Sequence, residues 1–203
     1  MENVSVKPPA RNPSRKNAAP RTQLDRSNWI ESAIDVLARE GIAGLRVEVL
    51  AKRCGVTKGS FYWHFKDRQD LLAAILEHWR EGRIRDIEKT TTVTSGLERS
   101  QLHFAIEVYG ASRNRKGMAI ELAVRDWARH DPQAAAIVEA VDLYRLDCTR
   151  KLFVAAGMSD AEAKSRSLLL YACVFGLSLM HYAHFDDNPD DLKRRIAERI
   201  ISA

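Results

Sequence analysis

Cysteine is scarce in this chain of 203 residues: Cys54, Cys148 and Cys173 are odd in number and far apart. Such spacing builds no disulfide framework and suits a reducing compartment. No apolar run is long enough to cross a membrane. The longest, Leu168 to Met180, is broken by Ser178 and reads as a buried helix. The N-terminus is polar and Pro-rich rather than apolar, so it does not read as a secretory leader. Catalytic signatures are missing as well: there is no phosphate loop, no Gly-x-Ser-x-Gly turn and no recognisable pair of carboxylates. His181 and His184 lie near Asp186 and Asp187, and Cys148 and Cys173 add possible ligands. An i,i+3 histidine pair without a third spaced ligand is the mark of a helix end rather than a zinc site. No enzyme, metal or cofactor is expected. Strand alternation and internal repeats are absent too, and helical periodicity runs through the chain, so the expected class is all-α.

What is present is positive charge gathered at one end. The chain carries a formal +5 and 45% hydrophobic residues, which supports a folded protein. Residues 1–26 hold six Lys or Arg against two acids, and residues 27–68 hold seven against five. The remainder is close to neutral. Residues 1–24 lack a periodic apolar pattern and read as a disordered basic tail. It is either an arm adding phosphate contacts or a solubilising leader.

Between these charges lies VLAKRCGVTKGSFYWHF, Val49 to Phe65. It reads as two short helical segments joined by a glycine turn, the arrangement that sets a helix into a DNA major groove. Gly55 supplies the left-handed residue that ends the first segment. Thr57 is expected to cap the second. Phe61 and Phe65, four apart, hold that segment against its own domain, so at least two of Tyr62, Trp63 and His64 look outward. Upstream, a helix is expected from Asp25, with Asn28 in a cap-like first turn, Ile30, Ala33, Ile34, Leu37 and Ala38 on its core face, and Gly41 at its end. Downstream, Asp67 caps a long helix reaching about Lys89.

These residues, GVTKGSFYWHFKDRQDLLAAIL with LDRSNWIESAIDVLAREGIAGLRVEVLAKRC before them, resemble the DNA-binding core of TetR-family (tetracycline-repressor-like) transcriptional regulators. The likeness spans roughly residues 25 to 76; the rest is similar only in length and helical pattern. It implies a helix-turn-helix head (25–70) with three helices, joined by a long helix to a larger ligand-binding and dimerisation domain (71–203). It also implies a cytoplasmic, nucleoid-associated homodimer that represses a palindromic operator and releases it on binding a small effector. A regulator without an effector, or an activator, is the alternative. Arg46 stands where such proteins commonly place a capping Ser or Thr; the cap is lost and a cation gained.

The expected DNA contacts sort by chemistry. Thr57, Tyr62, His64 and Lys66 position the backbone, with Arg46 and Arg68 as further phosphate contacts. Lys58 is the base reader, since lysine donates to guanine O6 and N7. Gly59 permits close approach, Ser60 serves either class, and Trp63 touches a thymine methyl or packs on its neighbours.

Beyond Thr90 to Gly96 the chain reads as helix after helix: Leu97 to Ser112, Lys116 to Ala128, Pro132 to near Gly157, a helix capped by Ser159 and running to about Phe185, and a last one from Asn188-Pro189. An apolar or aromatic effector would meet Phe104, Tyr109, Met118, Leu122, Trp127, Tyr144, Phe175 and Met180, with Arg125 orienting a polar group. Ordinary core packing is the alternative at each. The last two helices are the expected dimer surface, through Leu168, Ala172, Gly176, Leu179, Ile196 and Ile200, in an intermolecular four-helix bundle.

Overall fold

Asp25 and Asn28 start the first helix reciprocally. The Asp25 carboxylate accepts from the Asn28 N–H at 2.8 Å, and the Asn28 side chain accepts from the Asp25 N–H at 3.1 Å. Two otherwise orphaned donors are thereby satisfied. The helix, α1 (Arg26–Glu40), buries Trp29, Ile30, Ala33, Ile34 and Leu37. It ends at Gly41, whose φ of 67° an L side chain rarely adopts. This computed structural model describes residues 24–92, 96–98, 100–104, 115–182 and 184–202, and every regular element among them is helical.

After a short 3-10 turn (Ile42–Gly44) come α2 (Val47–Arg53), α3 (Lys58–Phe61) and the long α4 (Arg68–Thr91). The second part of the chain supplies α5 (Arg115–Ala128), α6 (Pro132–Ala155), α7 (Asp160–Leu179) and α8 (Pro189–Ile201). Local signals start most of them. Asp67, Asp131, Ser159 and Asn188 each accept from a first-turn N–H of the following helix. Of the expected helix over 97–112, Leu97, Glu98 and residues 100–104 are described, and all but Leu97 are helical. The basic tail, apart from Leu24, lies outside the described residues, as does Tyr109.

Two expectations fail locally. Thr57 occupies the N-cap position of α3, yet its side chain makes no capping bond. With α3 only one turn long, the Ser60 N–H is satisfied by the Thr57 carbonyl at 3.0 Å instead. The penultimate helix ends at Leu179, not near Phe185, because the chain turns extended at Met180 (ψ 144°).

The buried residues form two clusters. One joins Trp29, Leu37, Leu50, Phe61, Phe65 and Leu71 of the first four helices to Val124 and Trp127 of α5 and Val138 and Val141 of α6. An ion pair between Lys116 and Asp35 (2.8 Å) adds a polar tie between α5 and α1. The second cluster joins Leu152 and Phe153 of α6 to Leu170 and Val174 of α7 and Ala197, Ile200 and Ile201 of α8. The N-terminal helices thus sit directly on α5, through apolar contact that excludes water from the joint.

Candidate nucleic-acid interface

The platform beneath the turn is aromatic. Phe61 meets Trp29 edge-on at 5.5 Å, stacks on Phe65 at 5.2 Å and meets Tyr62 edge-on at 5.2 Å. Phe61 and Phe65 are fully buried, so α3 is anchored by one face only. The Arg26 guanidinium lies 4.8 Å over the Phe65 ring and pairs with Asp70 at 3.6 Å, closing the platform's edge.

Most of the rest of this segment faces outward. Thr57, Lys58, Gly59, Tyr62 and Lys66 are exposed, Ser60 and His64 are half-buried, and Trp63 is 87% exposed. Trp63 is therefore not part of the core beneath the turn. A Cβ on Gly59 would meet only the Thr57 hydroxyl, at 3.8 Å. Nothing inside the protein needs glycine there, and its bareness leaves room for something outside. Large exposed aromatics beside a cationic helix start are costly to leave in water and are suited to stacking against or wedging into a nucleic acid surface.

Arg68 is a correction. Its guanidinium turns inward and donates to the carbonyls of Leu45 (2.6 Å) and Ile42 (3.2 Å). It holds the 3-10 turn to the start of α4 rather than reaching for phosphate. Arg46 is exposed at the N-cap of α2 with no side-chain capping bond, as the missing hydroxyl implies. Lys58 is not idle either: its ammonium is ion-paired with Glu48 in the first turn of α2. That bond holds the Glu48 carboxyl below its ordinary range and the Lys58 ammonium above its own. Glu48 was missed in the sequence because nothing local links two residues ten apart. Gly44 was missed too: a Cβ there would lie 2.7 Å from the Glu40 Cβ, so the turn packs on α1 only with glycine.

Of the expected effector residues, Arg125 and Phe175 come together and most of the others lie apart. Trp127 is buried in the cluster shared with α1, and Phe104 and Met180 are exposed. The Tyr144 hydroxyl donates to Glu88 at 3.0 Å, a bond that pushes the phenol up to about 12. Met118 and Leu122 are half-buried. Arg125 joins an ionic network instead: it meets Glu121 at 2.8 Å and Asp142 at 2.6 Å, and Arg145 reaches the same two acids at 3.2 and 3.3 Å. Both guanidiniums lie over Phe175, at 4.2 and 5.5 Å. Glu121 and Arg145 are each 3% exposed, and one carboxylate oxygen and the Nε between them lack a hydrogen-bond partner. An open cleft of about 350 Å³ between α5 and α6 is lined partly by Arg125 and Asp142, the former being its one expected residue.

On α7, Leu168, Ala172 and Leu179 are exposed and Gly176 half-buried, so an apolar face is uncovered in the single chain. Ile196 and Ile200 depart from the expected surface. Ile200 is buried in the chain's own second cluster, and Ile196 packs against that cluster, because α8 folds back on α7. Among the described residues no helix is long and apolar enough to cross a membrane, and no three His, Cys, Asp or Glu side chains gather where they could hold a metal.

Comparison with known proteins agrees with this geometry. Residues 30–75 match the family model described as bacterial regulatory proteins, tetR family. The chain is 32% identical over 87 residues to the HTH-type transcriptional regulator SrpR of Pseudomonas putida, a match spanning 43% of this chain and 38% of that protein. Its fold is similar to that of a transcriptional regulator from Rhodococcus sp. Rha1, with a TM-score of 0.70, 21% identity and coverage of 87% of this chain and 94% of that one. A transcriptional regulator from Saccharomonospora viridis, solved in complex with choline, is similar at a TM-score of 0.70 and 17% identity, over 87% of this chain and 94% of that one. Residues 30–75 are thus similar to the domain of the tetR family of bacterial regulatory proteins, and the described residues have an all-helical fold similar to that of solved transcriptional regulators.

Proposed function

We propose that the protein is a homodimeric, ligand-responsive repressor of a palindromic operator, acting in the cytoplasm. A head of residues 25–70 binds DNA, and residues 71–203 dimerise and sense the effector. The observation that carries the DNA-binding part is the outward row Lys58, Gly59, Ser60, Tyr62 and Trp63 on a buried aromatic platform. Rigid support keeps donors in register with base edges, and the exposed cations supply phosphate affinity. Dimerisation is supported by the uncovered Leu168, Ala172 and Leu179 face of α7, which two copies would bury against each other.

The effector reading is supported by the incompletely bonded, buried Glu121 and Arg145 beside Phe175. A ligand carrying a hydrogen-bond donor or a cation would satisfy the carboxylate, and the choline bound by the Saccharomonospora viridis regulator is of that kind. Glu121 shares α5 with Val124 and Trp127, which pack with α1, so a ligand that prefers one position of α5 would bias the head. A regulator without an effector is the second reading, favoured by the closed ionic packing of the same residues. The test is selection of bound duplexes from a random pool at physiological salt, with purified full-length protein. An enriched palindrome with half-sites about one helical turn apart supports the operator reading. Salt-sensitive binding without an enriched site refutes it. With that operator in hand, release by a panel of small amines and aromatic compounds separates the two effector readings.

A further inference from the structure

Glu48 places a carboxylate on the surface that otherwise offers Arg46, Lys58 and Lys66, where phosphates would repel it. Its partnership with Lys58 is a poor stabiliser, since both side chains are more than half exposed (64% and 52%) and pairs of that kind contribute little. A first-turn acid also suits the α2 dipole, but α2 is only seven residues long and ends in Cys54 without needing it. What the pair does is occupy Lys58. The ammonium at the start of the recognition segment is held by an acid on the preceding helix until something better replaces it.

We infer that Glu48 is a second specificity-determining residue, one that competes with phosphates for Lys58 and favours its transfer to a guanine whose neighbouring base presents an amine. On unrelated DNA, Glu48 competes with phosphates for Lys58 and its carboxylate opposes close approach. At a matching step, Lys58 donates to guanine O6 and N7, and the vacated Glu48 oxygen accepts from the N4 amine of an adjacent cytosine. The exchange conserves hydrogen bonds only when both bases are right; a wrong base at either position strands an ion. The inference rests on the operator reading proposed above.

The experiment repeats the random-duplex selection with full-length wild type, Glu48→Ala, Glu48→Gln and Lys58→Ala, followed by titrations of the wild-type site and an unrelated duplex at several salt concentrations. Thermal melts of each variant check folding. Glu48→Ala is expected to lose preference at the cytosine position and to bind unrelated duplex several-fold more tightly. Its log affinity should fall more steeply with log salt, by about 0.9 for one freed lysine. Lys58→Ala is expected to relax the neighbouring guanine position and leave the salt slope nearly unchanged. Glu48→Gln, which keeps an acceptor but no charge, should retain part of the cytosine preference while gaining nonspecific affinity. An unchanged motif and salt slope in Glu48→Ala overturn the inference while the operator reading stands. Failure of wild type to enrich any motif overturns both. A changed melt with unchanged motif assigns Glu48 to the α2 dipole alone and refutes the inference.

Discussion

Replacing Arg145 by methionine tests the ionic network at the centre of the second part of the chain. Methionine keeps most of the aliphatic stem and removes the guanidinium. Arg145 is almost fully buried, and its charge is compensated at 3.2 Å by Glu121 and at 3.3 Å by Asp142. Glu121 retains Arg125 at 2.8 Å after the substitution, so its carboxylate is weakened rather than stranded. Breaking a buried pair costs about 3–5 kcal/mol, and the surviving partner places Arg145→Met near the lower end, about 3 kcal/mol. Glu121→Leu is the harsher single change. It leaves Arg145 with one carboxylate, Asp142 at 3.3 Å, beside the Tyr171 and Phe175 rings and an Nε that already lacks a partner, so about 4 kcal/mol is expected. The double variant Glu121→Leu/Arg145→Met removes both desolvation penalties and should lie within about 1 kcal/mol of wild type. Urea unfolding at one fixed protein concentration reads all three, since any dimer dissociates as it unfolds. A single substitution costing under about 1 kcal/mol, or a double cost equal to the sum, refutes the network's role.

Lys66→Ala should weaken DNA binding to all sequences by about 1 kcal/mol with unchanged stability, whereas Arg68→Ala should lower stability by about 2 kcal/mol through its two carbonyl contacts. Loss of affinity in Arg68→Ala without any change in the melt would return it to the phosphate contacts. Leu179→Glu is expected to yield monomers in sedimentation velocity, and a dimer unchanged at micromolar concentration would remove α7 as the interface. Acid should destabilise the protein through its helix caps. The bond from Ser27, then that from the Asn28 N–H, lowers the Asp25 pKa, and the Ala134 N–H lowers that of Asp131. Their folded values lie below the unfolded ones, so the stabilisation is full above the ordinary carboxylate range and fades as pH falls through the folded values. Thermal melts should therefore drop below about pH 4, and Asp131→Asn, which still caps, should flatten part of that drop.

Much of this could be read along the chain because it is local. Asp25 with Asn28, Asp67 with Asp70, and Asn188 with Asp191 are cap pairs three residues apart, and their chemistry acts within one helical turn. The anchoring by Phe61 and Phe65 was legible from their helical spacing, and with it that at least two of Tyr62, Trp63 and His64 face outward; which two, and the part of Trp29 in the platform, came from the fold. The tertiary structure decided what depends on distant partners. It turned Arg68 onto Leu45, 23 residues away, set Lys58 against Glu48, 10 away, and joined Arg145 to Glu121, 24 away. It also buried Ile200 in the cluster shared with α7, which leaves the exposed apolar face of α7 as the surface for the proposed dimer. A helical period says which residues share a face, but long flexible side chains take their partners from whichever element the packed core brings within reach.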